Sequence, residues 1–127
     1  MESAQKFGTA IACIDGRFLK RTIDHIELRL GVRHVDTITT AGAVKHLAGN
    51  LAAEGEALLA NVQVSLQAHS SLGTAIVAHG ECAGNPVPDR TQKEQLASAV
   101  ETLTSLFPDM DVSAFFLDPK TGFFRIP

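Results

Sequence analysis

Two short stretches of the sequence carry side chains that could bind a metal ion. Residues 13–17, Cys-Ile-Asp-Gly-Arg, hold a thiol, a carboxylate and a guanidinium within five positions. Residues 79–82, His-Gly-Glu-Cys, hold an imidazole and the only other cysteine. Two thiolates and one imidazole are a ligand set for catalytic zinc, which keeps its fourth tetrahedral position open for water or substrate. Zinc suits this mixture because it is borderline-soft and redox-inert.

The spacing within each stretch predicts how the side chains would share one site. His79 and Cys82 are separated by two residues, so one turn could present both to an ion, and Cys13 would complete the set from a neighbouring strand. Asp15 and Arg17 fall on the same side of an extended backbone, within reach of an ion pair. Arg17 would then keep Asp15 ionised and ready to accept a hydrogen bond from a zinc-bound hydroxide. The alternatives are a surface salt bridge and two buried cysteines that pack as small hydrophobes.

Other chemistries that use these residue types need different patterns. A cysteine phosphatase needs an arginine farther from the nucleophile than Arg17 is from Cys13, and nearer than Arg21. A haloacid-dehalogenase-type phosphatase needs an aspartate where Cys13 stands. The sequence has no Cys-x-x-Cys motif for thioredoxin-like redox work, and no glycine-rich nucleotide fingerprint follows the first apolar run.

The elements that must position these residues alternate between strands and helices. Unbroken apolar or β-branched runs predict strands at 7–13, 32–40, 73–78 and 112–117, and residues 123–126 as an antiparallel edge strand. Apolar residues at helical spacing predict helices at 18–30, 54–70 and 89–107, with a short helix near Val44 that ends at Gly49. This pattern predicts an α/β fold with a mostly parallel sheet of four strands plus a C-terminal antiparallel edge strand, flanked by helices.

The predicted sheet suggests where the site lies. In open α/β sheets the ligand crevice lies beyond the C-terminal ends of the strands, where the strand order reverses. If strands one and three are neighbours, with strand two outside strand one, Cys13 and His79 flank that crevice. The 127 residues fit one domain, spanning 1–127.

Composition narrows the partners and the location. Hydrophobic residues make up 45% and charged residues 20%, and the net charge is −3 without a long basic run. The chain also lacks Trp and Tyr, so we expect no nucleic-acid partner. No apolar stretch approaches the roughly 20 residues of a membrane span, and residues 1–6 lack a signal-peptide pattern. We therefore expect no membrane partner and a cytoplasmic location, where a disulfide between Cys13 and Cys82 is disfavoured.

The motifs, taken in order, resemble the β-class carbonic anhydrases. That family has Cys-x-Asp-x-Arg after its first strand and His-x-x-Cys after a later one, as this chain has at 13–17 and 79–82. Ala41 and Gly42 fall where the family has an Ala-Gly turn, and Ser65 lies in the helix before strand three, where the family often has Ser. Asp118 followed by Thr121 and Gly122 resembles its C-terminal hairpin. Residues 79–86 are similar to a short carbonic anhydrase-like branch.

The resemblance implies reversible hydration of CO2 to bicarbonate by a zinc-bound hydroxide. It implies Cys13, His79 and Cys82 as ligands of Zn2+, and Asp15 and Arg17 as the catalytic pair. Family members can also hold this aspartate as a fourth zinc ligand in a closed, inactive state, so Asp15 is a candidate for that position. The family builds its sites at dimer interfaces, which implies a homodimer or a larger homo-oligomer.

Some features leave alternatives open. Typical members carry Arg-Asn before the Ala-Gly turn, whereas this chain has Thr39 and Thr40. The alternatives are a metal-binding family member without this activity, a CS2 or COS hydrolase on the same scaffold, and a plain α/β binding domain. His46 is a candidate proton shuttle because histidine titrates near neutrality. We expect His25 to be solvated or to cap a helix, and Gly42 and Gly84 to serve turns.

Overall fold

The computed structural model describes residues 6–127, and its elements follow the predicted order. The strands are β1 (Phe7–Ala12), β2 (His34–Thr39), β3 (Thr74–His79), β4 (Val112–Asp118) and β5 (Gly122–Ile126). The helices are α1 (Leu19–Leu30), α2 (Ala53–His69) and α3 (Asp89–Leu106), with a 3₁₀ helix at Ala43–His46. Residues 1–5, which belong to the stretch that was compared with a signal peptide, lie outside the described residues.

The five strands form one sheet in the order β2-β1-β3-β4-β5. The first three pairings, β1 with β2, β1 with β3 and β3 with β4, are parallel, and β5 returns antiparallel to β4. The predicted fold class is therefore confirmed, including the placement of strand two outside strand one. The chain reverses its direction of travel across the sheet between β1 and β3, so the C-terminal ends of these strands flank the crevice.

The two central strands are buried on both faces, which explains their unbroken apolar sequences. Successive residues of β1 enter opposite sides of the sheet. Ile11 joins the larger core cluster, which packs against α2 and α3 through residues such as Leu58 and Leu96. Ala10 joins the smaller cluster on the other face, which α1 covers through Ile26. Packing on both faces fixes the sheet rigidly beneath the loops at its C-terminal edge.

The turn of the β4–β5 hairpin is held by the side chain of Asp118, which the sequence pattern identifies. The Oδ1 atom of Asp118 accepts hydrogen bonds from the backbone N–H groups of Lys120 (2.8 Å) and Thr121 (3.2 Å). Gly122 follows with a φ of 108°, a conformation that favours glycine. Within residues 6–127 there is no helix with both the length and the apolar character needed to span a bilayer.

Candidate metal centre

Three buried side chains from the two strand ends converge on one point. One ligand atom each from Cys13, His79 and Cys82 lies within 4.8 Å of the others. The two sulfurs are 3.8 Å apart. Two Zn–S bonds of about 2.3 Å at a tetrahedral angle would separate their sulfurs by about 3.8 Å. The donor set and its spacing therefore fit one tetrahedral ion.

His79 is oriented as a ligand would be. Its Nδ1–H donates a hydrogen bond of 2.8 Å to the carbonyl of Gly80, which in the neutral ring places the lone pair on Nε2. Nε2 is buried and has no hydrogen-bond partner among residues 6–127. Buried polar atoms are rarely unpaired in folded proteins, and a metal ion would satisfy this nitrogen. The imidazole also packs against the Phe18 ring at 4.5 Å, which limits its rotation.

The two sulfurs lie in surroundings that suit thiolates only when a cation is present. Burial and the neighbouring Cys13 raise the pKa of the Cys82 thiol. The backbone N–H groups of Gly84 and Asn85 act in the opposite direction and lower this pKa. The N–H of Gly42 donates to the Cys13 sulfur at 3.4 Å. A coordinated metal ion would deprotonate both thiols outright.

The two loops that carry these N–H groups are packed backbone to backbone. A Cβ atom on Gly42 would lie 2.5 Å from the Gly84 carbonyl oxygen, and one on Gly84 would lie 2.7 Å from the Ala41 carbonyl carbon. Gly42 also has a φ of +60°. Gly42 and Gly84 therefore both serve turns, as expected, and Gly84 also allows the close approach of the two loops. The Nζ atom of Lys45 donates a hydrogen bond of 2.6 Å to the same Gly84 oxygen.

Asp15 and Arg17 form the predicted ion pair, but on a turn closed by the Phe18 N–H on the Asp15 carbonyl (3.1 Å), and not on the extended backbone that the prediction assumed. Arg17 Nη2 lies 2.8 Å from Asp15 Oδ2, and Arg17 Nε and its backbone N–H lie 3.1 and 3.0 Å from Oδ1. These hydrogen bonds, first from the side chain and then from the backbone, hold the pKa of Asp15 at about 2. Asp15 Oδ2 lies 3.9 Å from His79 Nε2, so the carboxylate borders the ligand cluster.

Arg17 also reaches the second stretch. Its Nη2 lies 3.4 Å from the carbonyl oxygen of Glu81, and its Nη1 lies 3.8 Å from the Glu81 carboxylate. Glu81 has a φ of 58°, which a residue other than glycine rarely adopts. This left-handed residue turns the chain between His79 and Cys82, so that both side chains face the same point. Nothing in the local sequence signals that conformation.

A small cavity of about 170 Å³ adjoins the cluster. Its lining is formed by Cys13, Ile14, Asp15, Ala41, Ala83 and Gly84. Apart from the Asp15 carboxylate and the Cys13 sulfur, these walls are small and apolar or backbone. Two larger cavities, of about 410 and 400 Å³, lie between α2 and the C-terminal end of α3, away from the three ligands. The smaller cavity is the one of these three that adjoins the cluster.

Helix α3 supports the second stretch through residues that the sequence did not single out. Gln92 is buried, and its Nε2 donates a hydrogen bond of 2.8 Å to the His79 carbonyl. Asn85 Nδ2 donates to Gln95 Oε1 at 2.7 Å. Gln92 falls in the apolar stripe that continues through Leu96. A polar residue in such a stripe is the signal that could have identified it.

The other histidines lie outside the cluster. The expectation that His25 is solvated or caps a helix is wrong, because its ring stacks on Phe123 at 4.0 Å and burial lowers its pKa. His69 Nδ1 lies 2.7 Å from Asp36 Oδ2, which also accepts a hydrogen bond from Ser65. His46 is half-buried in the 3₁₀ helix. Its role as a proton shuttle stays a prediction.

Comparisons with known proteins show the family and the fold of the chain. A family model described as "Putative carbonic anhydrase" matches residues 3–126. The β-carbonic anhydrase isoform I of Trichomonas vaginalis superimposes with a TM-score of 0.69 at 14% identity, over 98% of this chain and 82% of that one. A carbonic anhydrase of Streptococcus mutans gives 0.66 at 14% over 98% and 82%, and one of Glaciozyma antarctica gives 0.67 at 12% over 98% and 83%. At these identities the structural similarity shows a shared fold alone. No curated protein matches the chain by sequence.

Proposed function

The chain belongs to the putative carbonic anhydrase family, and from that membership we propose that it is a zinc-dependent enzyme that reversibly hydrates CO2 to bicarbonate. The observation that carries this proposal is the convergence of Cys13, His79 and Cys82 within 4.8 Å at the C-terminal edge of the sheet. The Asp15–Arg17 ion pair and the small cavity beside this cluster would supply the other parts of such an active site.

In this proposal Cys13, His79 and Cys82 hold the zinc ion. His79 offers Nε2, whose lone pair has no other partner, and the cysteines offer sulfurs at a spacing that suits tetrahedral bonds. Zinc bound there would lower the pKa of water to about 7 and so supply a nucleophile near neutral pH. The backbone N–H of Gly42 and the carbonyl of Gly80 fix two of the ligands from outside.

Asp15 orients the nucleophile by accepting a hydrogen bond from it. With a pKa of about 2, Asp15 is ionised at neutral pH and can only accept. The same low pKa makes it a weak base, so its part is orientation and not proton removal. Arg17 fixes the carboxylate through both oxygens, which keeps it beside His79. The pair thus favours the orientation in which Asp15 faces the ligand cluster.

The cavity suits a small, uncharged substrate. The side chains of Ile14, Ala41 and Ala83 line it and offer no hydrogen bond, so a molecule without donors loses little on entering. CO2 meets that description, and so do COS and CS2. A hydrolase for either sulfur compound is therefore the alternative activity, and a family member that binds metal without catalysis is the alternative function.

We extend the proposal to a homodimer or larger homo-oligomer in the cytoplasm. Ile14 is 59% exposed in the single chain although it lies at the site and is apolar. A second copy that covers Ile14 would close the cavity to bulk water. Sedimentation equilibrium would show a monomer if this part of the proposal is wrong, and Ile14→Glu is expected to weaken association of an oligomeric wild type.

Stopped-flow CO2 hydration with a pH indicator tests the activity. We expect the zinc-loaded wild type to accelerate hydration and Asp15→Asn to reduce kcat about 10-fold or more while zinc content stays the same. Asp118→Asn is the matched control, because it removes a hydrogen-bonded carboxylate in the hairpin turn. A zinc-loaded wild type that is inactive on CO2 would contradict the proposed reaction, and COS and CS2 would then be assayed on the same preparation.

A further inference from the structure

We propose that Lys45 is a positioning residue for the metal centre, which it stabilises by joining the loop that follows β3 to the turn that follows β2. The inference rests on the proposed zinc site, since its effect is measured on metal binding. Its basis is the hydrogen bond of 2.6 Å from Lys45 Nζ to the Gly84 carbonyl oxygen, which links residues 39 positions apart.

Lys45 is fixed at its own end by the turn that contacts the first sulfur. It is the third residue of the 3₁₀ helix, and its backbone N–H donates to the carbonyl of Gly42 at 3.1 Å. The N–H of Gly42 in turn donates to the sulfur of Cys13. The stem of Lys45 therefore starts from a segment that already contacts one of the proposed ligands.

The other end of this bond lies on the peptide that closes the turn after Cys82. The carbonyl of Gly84 and the N–H of Asn85 belong to the same peptide group, and that N–H donates to the carbonyl oxygen of Cys82 at 3.3 Å. An ammonium bound to the carbonyl oxygen polarises the peptide and strengthens its N–H as a donor. Lys45 thus supports the turn that begins at Cys82 through one peptide unit, without touching the metal itself.

The crowding of the two loops explains why a long side chain makes this contact. The Gly84 oxygen lies so close to Gly42 that a single Cβ there would come within 2.5 Å of it. That face of the carbonyl is closed, and the flexible amine of Lys45 reaches the oxygen from the exposed side. Within residues 6–127 the Lys45 ammonium has no carboxylate partner, so the carbonyl is its partner.

Loss of this contact would leave the two sulfurs on loops that must be brought together when metal binds. Groups outside the ligand shell typically change metal affinity 10- to 100-fold when they are removed. Because Lys45 is exposed, we expect Lys45→Met to lie near the lower limit and to raise the zinc Kd about 10-fold. Lys45→Arg keeps the charge and the donor, so we expect its Kd to stay close to that of the wild type.

Competition between the reduced protein and a chromophoric chelator for zinc gives the Kd of each variant. Lys6→Met is the matched control, because Lys6 is an exposed lysine that precedes β1 at the opposite edge of the sheet. The absorption of the Co2+-loaded proteins provides a second measurement, since a displaced sulfur changes that spectrum whereas a general loss of stability does not. We expect a changed spectrum for Lys45→Met alone.

Equal zinc affinities for Lys45→Met and Lys6→Met, with unchanged cobalt spectra, would overturn the inference. A lower thermal stability of metal-free Lys45→Met with wild-type affinity and spectrum would do the same, because it shows a merely structural contact. In both cases the wild type still binds zinc and the proposed function stands. A wild type that takes up no zinc would overturn the proposed function and this inference together.

Discussion

The Sγ atoms of Cys13 and Cys82 lie 3.8 Å apart, although 69 positions separate the two residues in the chain. At this distance two thiolates repel each other unless a cation lies between them, and burial adds to that cost. Burial and the neighbouring Cys13 both raise the pKa of the Cys82 thiol. The fold therefore brings together two groups that favour a bound cation over the metal-free state.

The first prediction concerns metal removal. A ligand at 100 times its Kd stabilises the folded state by about 2.7 kcal/mol, which for a chain of this size raises Tm by roughly 10 °C. We expect thermal unfolding followed by circular dichroism to show such a rise when zinc is added to chelator-treated, reduced protein. Cys82→Ser should show no rise. An equal rise in both proteins would place the zinc elsewhere.

The second prediction concerns the pKa of Asp15. Arg17 supplies the hydrogen bonds that hold this pKa at about 2, so Arg17→Gln should return it toward the ordinary value of about 3.9. NMR titration of the metal-free protein, followed at the Asp15 carboxyl carbon, measures the change. Asp118 is the internal control, because the backbone N–H of Lys120 is the main cause of its lowered pKa. A pKa of Asp15 that stays near 2 would show another cause.

The sign of the accompanying stability change follows from the same pKa. The folded state binds its proton on Asp15 less readily than the unfolded chain does, so the ion pair stabilises the fold above about pH 4. That contribution is lost as the pH falls toward 2. This contribution is small, because the Arg17 side chain is 57% exposed and solvent screens the pair. Urea unfolding at pH 5 and pH 2.5 should therefore show a slightly smaller acid loss in Arg17→Gln than in the wild type.

The third prediction concerns the contact between Gly42 and Gly84. Gly42→Ala adds a Cβ that collides with the Gly84 oxygen, and it also strains a φ of +60°. Gly31→Ala is a matched control, because its φ of +66° is similar but the Cβ would meet nothing within 4 Å. We expect Gly31→Ala to cost about 1–2 kcal/mol and Gly42→Ala to cost about 1–3 kcal/mol more. Equal costs in urea unfolding would show that the loops separate easily.

The fourth prediction concerns Gln92. Its replacement by Met keeps the shape but leaves the buried carbonyl of His79 without this donor, which costs about 1–3 kcal/mol. Gln67→Met, on the exposed side of α2, is the control and should change stability by less than about 0.5 kcal/mol. Equilibrium unfolding of the reduced, metal-free proteins measures both. Similar values for the two variants would show that water replaces the lost donor.

The fold could be predicted from the sequence because the apolar patterns are strongest where the residues are completely buried. The runs that became β1 and β3 are apolar on both faces, and the stripes of α1 and α3 have clear helical spacing. Gly31 ends α1 with the left-handed φ that its position indicated. The ion pair of Asp15 with Arg17 was also predicted, although the backbone there forms a turn and not the extended segment on which that prediction relied.

Contacts between distant segments could not be predicted in the same way. The left-handed φ of Glu81 and the close approach of Gly84 to Gly42 depend on how two loops meet across the sheet. The contact of Lys45 with Gly84 depends on the same meeting. The expectation for His25 was wrong because its ring stacks on Phe123, which lies in the hairpin at the far end of the chain. The spacing of apolar residues within one helix does not show which distant side chain will pack against it.

The pairing of β1 with β3 also decides when, during folding, the complete ligand set can come together. Only three residues of each strand are in register there, Thr9 to Ile11 opposite Thr74 to Ile76. Until that short ladder closes, Cys13 is held on one half of the nascent sheet and Cys82 on the other. A chain released from the ribosome before β3 could not assemble the complete ligand set. In a refolding experiment, uptake of a metal by all three ligands would therefore report the moment at which the two halves of the sheet join.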